Sequence, residues 1–134
     1  MIEHPAALDP LSGFPYSNVV VSGDLVAIAS QVPFDENHHL VGSDFAEQAH
    51  QVFANLRHCL GVAGCDFADV VKVSGYLLRP GLVDQYNAIY REYFSPPYPA
   101  RTTVACQLIV PGMLLQVEAF ARRPATGPWQ AKVL

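Results

Sequence analysis

The stretch NVVVSGDLVAIASQV, residues 18–32, decides how the rest of the chain is organised. It reads as two strands, residues 18–21 and 25–32, joined by Gly23 and Asp24. This pair suits the positive φ angles of a tight turn between antiparallel strands. We therefore predict a β-hairpin, to which later strands of the chain must add.

In two later segments the apolar residues recur with the period of a helix. After Ser43, which we predict as an N-cap, apolar residues recur at steps of three and four residues. This first stripe is Phe45, Ala49, Val52, Phe53, Leu56, Leu60 and Ala63. Residues 82–94 repeat the pattern with Leu82, Tyr86, Ile89 and Tyr93, and Ser95-Pro96-Pro97 ends it. Each helix therefore has one apolar side to bury.

Three further strands are predicted at residues 70–78, 101–110 and 114–122. The order of strands and helices predicts an α+β two-layer sandwich, in which two helices cover one face of a mixed five- or six-stranded sheet. Alternation places Val71, Val73 and Leu77 on one face of their strand. In the last strand Leu115, Val117, Ala119 and Ala121 suit the helix side, and Leu114, Gln116, Glu118, Phe120 and Arg122 point the other way. That second face mixes apolar and polar residues, as a subunit interface with a wet pocket does.

Length and composition narrow the class of protein. A chain of 134 residues suits a single domain, residues 1–134, and 51% hydrophobic residues with only 15% charged predict a homo-oligomer. The net charge of −4 and the scattered Lys and Arg residues argue against a nucleic-acid partner. No signal peptide or membrane-length apolar run is evident, so we expect a cytoplasmic protein without a membrane partner. The tail, residues 125–134, is predicted as an extension packed by Trp129.

Neither metal binding nor disulfide bonding is predicted. Cys59, Cys65 and Cys106 are odd in number and lack CxxC spacing. His38 and His39 are adjacent in a loop, without the i, i+4 spacing that makes two ligands converge.

Six segments together resemble the Rid family, also called YjgF and historically labelled endoribonuclease L-PSP. They are FPYSNVVVSGDLVAIASQVP, FAEQAHQVFANLRHCLGVAG, DVVKVSGYLL, YNAIYREYF, YPARTTVA and QVEAFARR, and they span roughly residues 10 to 123. The resemblance implies a chorismate-mutase-like fold and a homotrimer, with the three sheets in a central barrel and clefts between subunits. It also implies cofactor-free hydrolysis of enamine or imine intermediates (2-imino acids) to 2-keto acids and ammonia.

The resemblance makes Arg101 the residue that binds the substrate carboxylate. A planar guanidinium can donate to both carboxylate oxygens at once, whereas a lysine makes a point contact. The alternative for Arg101 is an ordinary ion pair with a surface acid at a strand end.

Four other residues fall at positions that the resemblance connects with the site. Tyr16 matches a tyrosine that closes the cleft, although it could equally be a packing aromatic. Asn87 matches a recurrent asparagine, for which we favour a structural role in bonding backbone and holding a loop. Thr103 replaces a frequent cysteine whose contact uses the backbone. Ser30 is displaced by one position, which is expected to turn its hydroxyl to the other side of the strand.

The most serious departure from the family pattern is Gln116, which occupies the slot of the glutamate that positions the attacking water. A glutamine can hold water but cannot accept its proton, which could cost on the order of 100-fold in rate. Glu118, two residues along on the same face, is the candidate replacement. The alternatives are a non-catalytic binder of small carboxylates such as keto acids or amino acids and, less favoured by the acidic charge, a ribonuclease or translation inhibitor.

Overall fold

The computed structural model describes residues 1–9, 11 and 13–124. In this part of the chain six strands form one sheet in the order β1-β2-β3-β6-β4-β5, and two α-helices pack on it. The strands are β1 Ile2–Glu3, β2 Val19–Ser22, β3 Leu25–Gln31, β4 Val70–Leu77, β5 Ala100–Ala105 and β6 Leu115–Arg122, and the helices are α1 Phe45–Val62 and α2 Val83–Tyr93. Short 3₁₀ helices, Phe67–Asp69 and Pro80–Leu82, precede β4 and α2.

The predicted hairpin is confirmed as β2 and β3, with Gly23 in the turn at φ 63°. The sheet is mixed because β5 runs parallel to β4, whereas the other neighbouring strands are antiparallel. A parallel pair needs a crossover, and α2 supplies it. The sequence pattern did not reveal β1, whose two residues are too few to show a period.

The helix-covered face of the sheet contains the hydrophobic core. All seven residues of the first predicted stripe are buried, as are the four inward residues predicted for β6. The N-cap of α1 is Asp44 and not Ser43, because the Asp44 side chain accepts a hydrogen bond from the Glu47 backbone N–H. Gly64, at φ 77°, follows the end of the helix, as expected for a glycine just beyond a C-cap.

A β-bulge in β4 corrects the predicted position of Val71. Val70 pairs with Ala121 and Lys72 with Phe120, so β4 advances two residues while β6 advances one. Val71 is the extra residue, and it is 51% exposed instead of facing the helices.

The strand predicted for residues 101–110 is shorter than expected. It ends at Ala105, which pairs with Leu77, the last residue of β4. The ladder stops there because β4 itself ends at Leu77, whose carbonyl accepts a last backbone hydrogen bond from the Cys106 N–H. The predicted packing of Trp129 lies outside the described residues. Within the described residues, no helix combines the length and hydrophobicity needed to cross a membrane.

Candidate functional site

Arg101 lies on the edge strand β5, and its side chain rests against α2. Its guanidinium carbon is 5.2 Å from the centre of the Tyr86 ring and 4.9 Å from that of Tyr90, close enough for cation–π attraction. Its Nε donates to Thr103 Oγ1 at 2.9 Å, and its Nη2 donates to Asn87 Oδ1. Two rings and two oxygen acceptors therefore fix the orientation of the guanidinium.

The charge of Arg101 is not neutralised by a neighbouring acid. None of the ion pairs among the described residues involves Arg101, so its alternative interpretation as a partner of a surface acid finds no support there. A guanidinium has five N–H donors, and the recorded bonds leave several of them available. A cavity of about 240 Å³ adjoins it, lined by Asn87, Tyr90, Arg91, Tyr98, Pro99 and Arg101.

Asn87 corrects one sequence prediction. The hydrogen bond recorded for its side chain joins it to Arg101, whereas the sequence favours a bond to loop backbone. Because Asn87 sits on α2, the helix that packs beneath the guanidinium also supplies one of its acceptors.

The rings of Tyr86 and Tyr90 form an apolar support for Arg101. The hydroxyl oxygens of both residues are buried and have no hydrogen-bond partner among the described residues. Burial raises the pKa of Tyr86 well above its ordinary value and that of Tyr90 to about 12, and the nearby Arg101 charge opposes both shifts. Both residues therefore stay neutral at any physiological pH.

A second pocket, of about 350 Å³, brings together four other predicted site residues. These are Tyr16, Ser30, Gln116 and Glu118, and the remaining lining residues are Leu11, Phe14, Ala29, Val32, Ile109, Val110 and Met113. Two of its apolar side chains are exposed to solvent: Ile109 is 87% exposed and Phe14 is 51% exposed.

Ser30 reaches this pocket because β3 contains a bulge. Ile28 pairs with Ala119 and Gln31 with Val117, so three steps along β3 match two along β6. Ala29 and Ser30 both line the pocket as a result. The prediction that displacement by one position turns the Ser30 hydroxyl away assumed regular alternation, which the bulge interrupts.

Tyr16 enters the pocket with its hydroxyl proton already engaged. The hydroxyl donates to Asp9 Oδ1 at 3.2 Å, and the Asn18 side chain also donates to that oxygen. Partial burial, followed by the charge of Asp9, raises the pKa of Tyr16 to about 12. The neutral hydroxyl oxygen can thus accept a hydrogen bond from a ligand, and the residue is 38% exposed.

The two polar residues of β6 in the pocket differ in how they are held. Glu118 Oε1 accepts a hydrogen bond from the Tyr76 hydroxyl at 2.7 Å, and this bond is the main cause of a raised pKa at Tyr76. Gln116 has no side-chain hydrogen bond recorded among the described residues, so its amide is available to a ligand or water.

Arg101 and the second pocket lie on opposite faces of the sheet. Arg101 pairs with Val73, which is buried beneath the helices, so its side chain is on the helix side. Gln116 pairs with Tyr76, and both are half-buried on the other side. A small ligand held by Arg101 therefore cannot contact Gln116 or Glu118 of the same chain.

Sequence reasoning missed several residues around these two pockets. Tyr86 was predicted only as part of the apolar stripe of the second helix, and Tyr76, Tyr90 and Asp9 were not singled out. Their importance depends on which strand or helix lies opposite. The sequence of one strand does not contain that information.

Known proteins resemble this chain over most of its length. The family model described as Endoribonuclease L-PSP matches residues 6–123. A human protein named 2-iminobutanoate/2-iminopropanoate deaminase is 33% identical over 108 residues, which cover 80% of this chain and 79% of that protein. A RutC family protein of Pyrococcus horikoshii is 34% identical over 108 residues, covering 80% of this chain and 86% of that protein.

Solved structures agree with the sequence matches. The crystal structure of RidA from the Antarctic bacterium Psychrobacter has a TM-score of 0.83 and 28% identity, and the match covers 90% of this chain and 98% of that chain. A yeast protein structure has a TM-score of 0.87 and 26% identity over 92% of this chain and all of that one. On these grounds the chain belongs to the Rid/YjgF family, the endoribonuclease L-PSP family of the matching model.

Proposed function

We propose that this protein hydrolyses 2-imino acids, and the enamines that interconvert with them, to 2-keto acids and ammonia. The reaction would take place in clefts between the subunits of a homotrimer. The activity that names the human and bovine relatives supports this substrate class, at 33% and 32% identity.

The observation that carries the proposal is the arrangement of Arg101. Its charge lacks an acidic partner among the described residues, while Asn87, Thr103 and two rings hold the guanidinium at the edge of a cavity. A preorganised guanidinium can bind a carboxylate through two parallel hydrogen bonds. A 2-imino acid has such a carboxylate next to its reactive carbon.

The separation of the two pockets supports a shared site. A ligand bound to Arg101 needs a second chain to supply Tyr16, Ser30, Gln116 and Glu118, because the sheet lies between the two groups in one chain. A ring of head-to-tail contacts provides such a pairing at every interface. The exposed apolar side chains at the second pocket, Phe14 and Ile109, are suited to being covered by that neighbour.

The charges of the two pockets are complementary to a protonated imino acid. Arg101 offers a positive charge for the carboxylate. The other pocket offers the Glu118 carboxylate and the Tyr16 oxygen, whose proton is donated to Asp9, for the N–H groups of the iminium. Gln116 can orient a water by hydrogen bonds, which raises the rate by holding it near the electrophilic carbon.

The test is the rate at which a freshly generated 2-imino acid loses ammonia. We expect the intact protein to accelerate this loss and Arg101→Ala to abolish the acceleration. Arg57→Ala is the matched control, because Arg57 also lies over two rings, those of Phe67 and Tyr93, but lines neither of these two pockets. No acceleration by the intact protein would refute the proposal.

Gln116 gives a specific reason to keep a second candidate, a non-catalytic protein that binds small carboxylates. Such a protein retains Arg101 but lacks an effective base. Saturable binding of 2-ketobutyrate, lost in Arg101→Ala, together with no turnover of the imino acid, would select it.

A further inference from the structure

The Glu118 carboxylate is held from one side by a residue that lies outside the pocket lining. The Tyr76 hydroxyl is 2.7 Å from Glu118 Oε1. In the β4–β6 ladder Tyr76 is directly opposite Gln116, and Glu118 is opposite Ser74, so the bond is a diagonal contact on the open face of the sheet. Oε1 is therefore occupied, and Oε2 has no recorded protein partner among the described residues.

No cation neutralises Glu118 in the described part of the chain. Its carboxylate takes part in none of the recorded ion pairs. Lys72 lies on the same face of β4, but its Nζ donates to Thr102 Oγ1 at 2.7 Å. The Glu118 carboxylate is therefore oriented by a neutral donor and has no cationic partner among the described residues.

We infer that Glu118 is the proton acceptor of this site and that Tyr76 is the residue that positions it. This inference rests on the proposed function. It divides the work of a single glutamate between two residues of β6, since Gln116 holds the attacking water and Glu118 takes its proton. Tyr76 acts through Glu118 and need not touch the substrate.

The proton balance of the reaction fits one carboxylate. Water attacks the iminium carbon, a C–O bond forms, the C=N electron pair moves to nitrogen, and the water proton passes to Glu118. The protonated Glu118 then gives this proton to the amine. The C–N bond breaks as the hydroxyl oxygen forms the C=O bond, and Glu118 takes the hydroxyl proton and passes it to the departing ammonia. Iminium and water thus become ketone and ammonium, and Glu118 ends as it began.

The hydrogen bond from Tyr76 has a geometric purpose in this scheme. An exposed carboxylate rotates among several orientations, whereas one with Oε1 fixed presents Oε2 in a defined direction. Hydrogen bonds to a charged group are also stronger than those between neutral groups. Removing the Tyr76 hydroxyl should therefore lower the rate of the chemical step and leave substrate binding by Arg101 intact.

The experiment compares Tyr76→Phe, Glu118→Gln and the double variant in the imino acid assay. Glu118→Gln should lower kcat by about 100-fold, in the range typical of general-base catalysis. Tyr76→Phe should lower kcat by roughly tenfold with KM nearly unchanged, because one hydrogen bond to a charged group is lost. In the Glu118→Gln background, Tyr76→Phe should change kcat by less than about twofold, since residues that act as a unit are not additive.

The control is Tyr93→Phe, which also removes a hydrogen-bonded hydroxyl, the partner of His50, from a residue outside both pockets. It should leave kcat unchanged. Thermal unfolding of Tyr76→Phe should match that of the unsubstituted protein, which separates positioning from a stability effect.

The outcomes distinguish the inference from the proposed function. If the intact protein does not turn over the imino acid, both fail. If it does, but Glu118→Gln retains full kcat, Glu118 is not the base and the inference alone fails. A tenfold loss in Tyr76→Phe that persists undiminished in the Glu118→Gln background would show that Tyr76 does not act through Glu118, and would overturn its role.

Discussion

The two faces of the sheet are made by alternate residues of the same strands, yet they have different chemical character. On the helix-covered face the inward residues of β6 are buried, and Phe53 of α1 lies at the centre of a group of aromatic rings. On the open face Gln116 and Glu118 are half-buried beside an exposed Phe120. The buried side chains of the first face stabilise a single chain. The half-buried and exposed side chains of the second face are the ones that a neighbouring chain and a ligand would contact.

The same comparison holds for charge. Arg101 emerges at the edge of the helix-covered face with a positive charge that no acid pairs, and Glu118 on the open face carries a negative charge that no cation pairs, in both cases among the described residues. Each chain therefore presents a positively charged group on one face of the sheet and a negatively charged group on the other. This is the arrangement from which a ring of identical chains can build a complete site at each interface.

The largest expected effect is a loss of folding stability when a side chain is removed from the helix-covered face, but not when one is removed from the open face. Phe53 is fully buried, and Phe53→Ala should lower the free energy of unfolding by about 3–5 kcal/mol, as for other large-to-small changes in a core. Phe120 is 42% exposed, and Phe120→Ala should leave the secondary structure intact while lowering the oligomer mass at low protein concentration. Circular dichroism with urea and light scattering after gel filtration measure the two effects. Equal loss of folding in both variants would mean that the open face belongs to the core.

A smaller effect should appear in alkaline solution, through Cys59 on the buried side of α1. Burial raises the pKa of Cys59 from 9.0 to about 12. Between pH 9 and 12 the unfolded chain loses this proton and the folded chain keeps it, so stability falls as pH rises, by about 1.4 kcal/mol per pH unit for one group. Denaturant titrations across this range should show a shallower fall for Cys59→Ala.

Cys106→Ala, which removes a half-buried thiol, is the matched control for that measurement. Tyr16 and Tyr90, whose pKa values are both raised to about 12, account for part of the remaining slope above pH 10. An unchanged slope in Cys59→Ala would mean that this thiol is not held in its neutral form by burial.

The smallest expected effect concerns the support beneath Arg101. A Cβ on Gly75 would lie 2.5 Å from the Tyr86 hydroxyl oxygen, so Gly75→Ala should destabilise the fold by about 1–3 kcal/mol. That hydroxyl is buried without a partner among the described residues, so Tyr86→Phe alone should be nearly neutral and should reduce the cost of Gly75→Ala. Thermal unfolding of the two single variants and the double variant tests this. Full additivity would show that the two residues do not meet.

Much of the fold could be predicted because its elements have clear periods. The stripe of α1 and the Gly23 turn each carry a local signal that packing reinforces. The bulges at Val71 and at Ser30 could not be predicted, because a bulge depends on how two strands pair and not on the sequence of one. The early end of β5 could not be predicted either, because it depends on where the paired strand β4 ends.

The candidate site was predictable in its residue types more than in its geometry. The YPARTTVA motif identified Arg101, and the strand alternation placed Gln116 and Glu118 on one face. The contacts of Arg101 with Asn87 and of Glu118 with Tyr76 join residues 14 and 42 positions apart, which no spacing rule connects.

The central claim is that Arg101 of one chain and Glu118 of another serve the same substrate, and subunit mixing tests it directly. Arg101→Ala and Glu118→Gln, each nearly inactive alone, would be unfolded together and refolded as mixed oligomers. In an equal mixture about a quarter of the interfaces would combine an intact Arg101 with an intact Glu118, so imino acid turnover should rise well above that of either variant. If mixed oligomers form and activity stays at the level of the separate variants, the two residues do not share a site and the account is wrong.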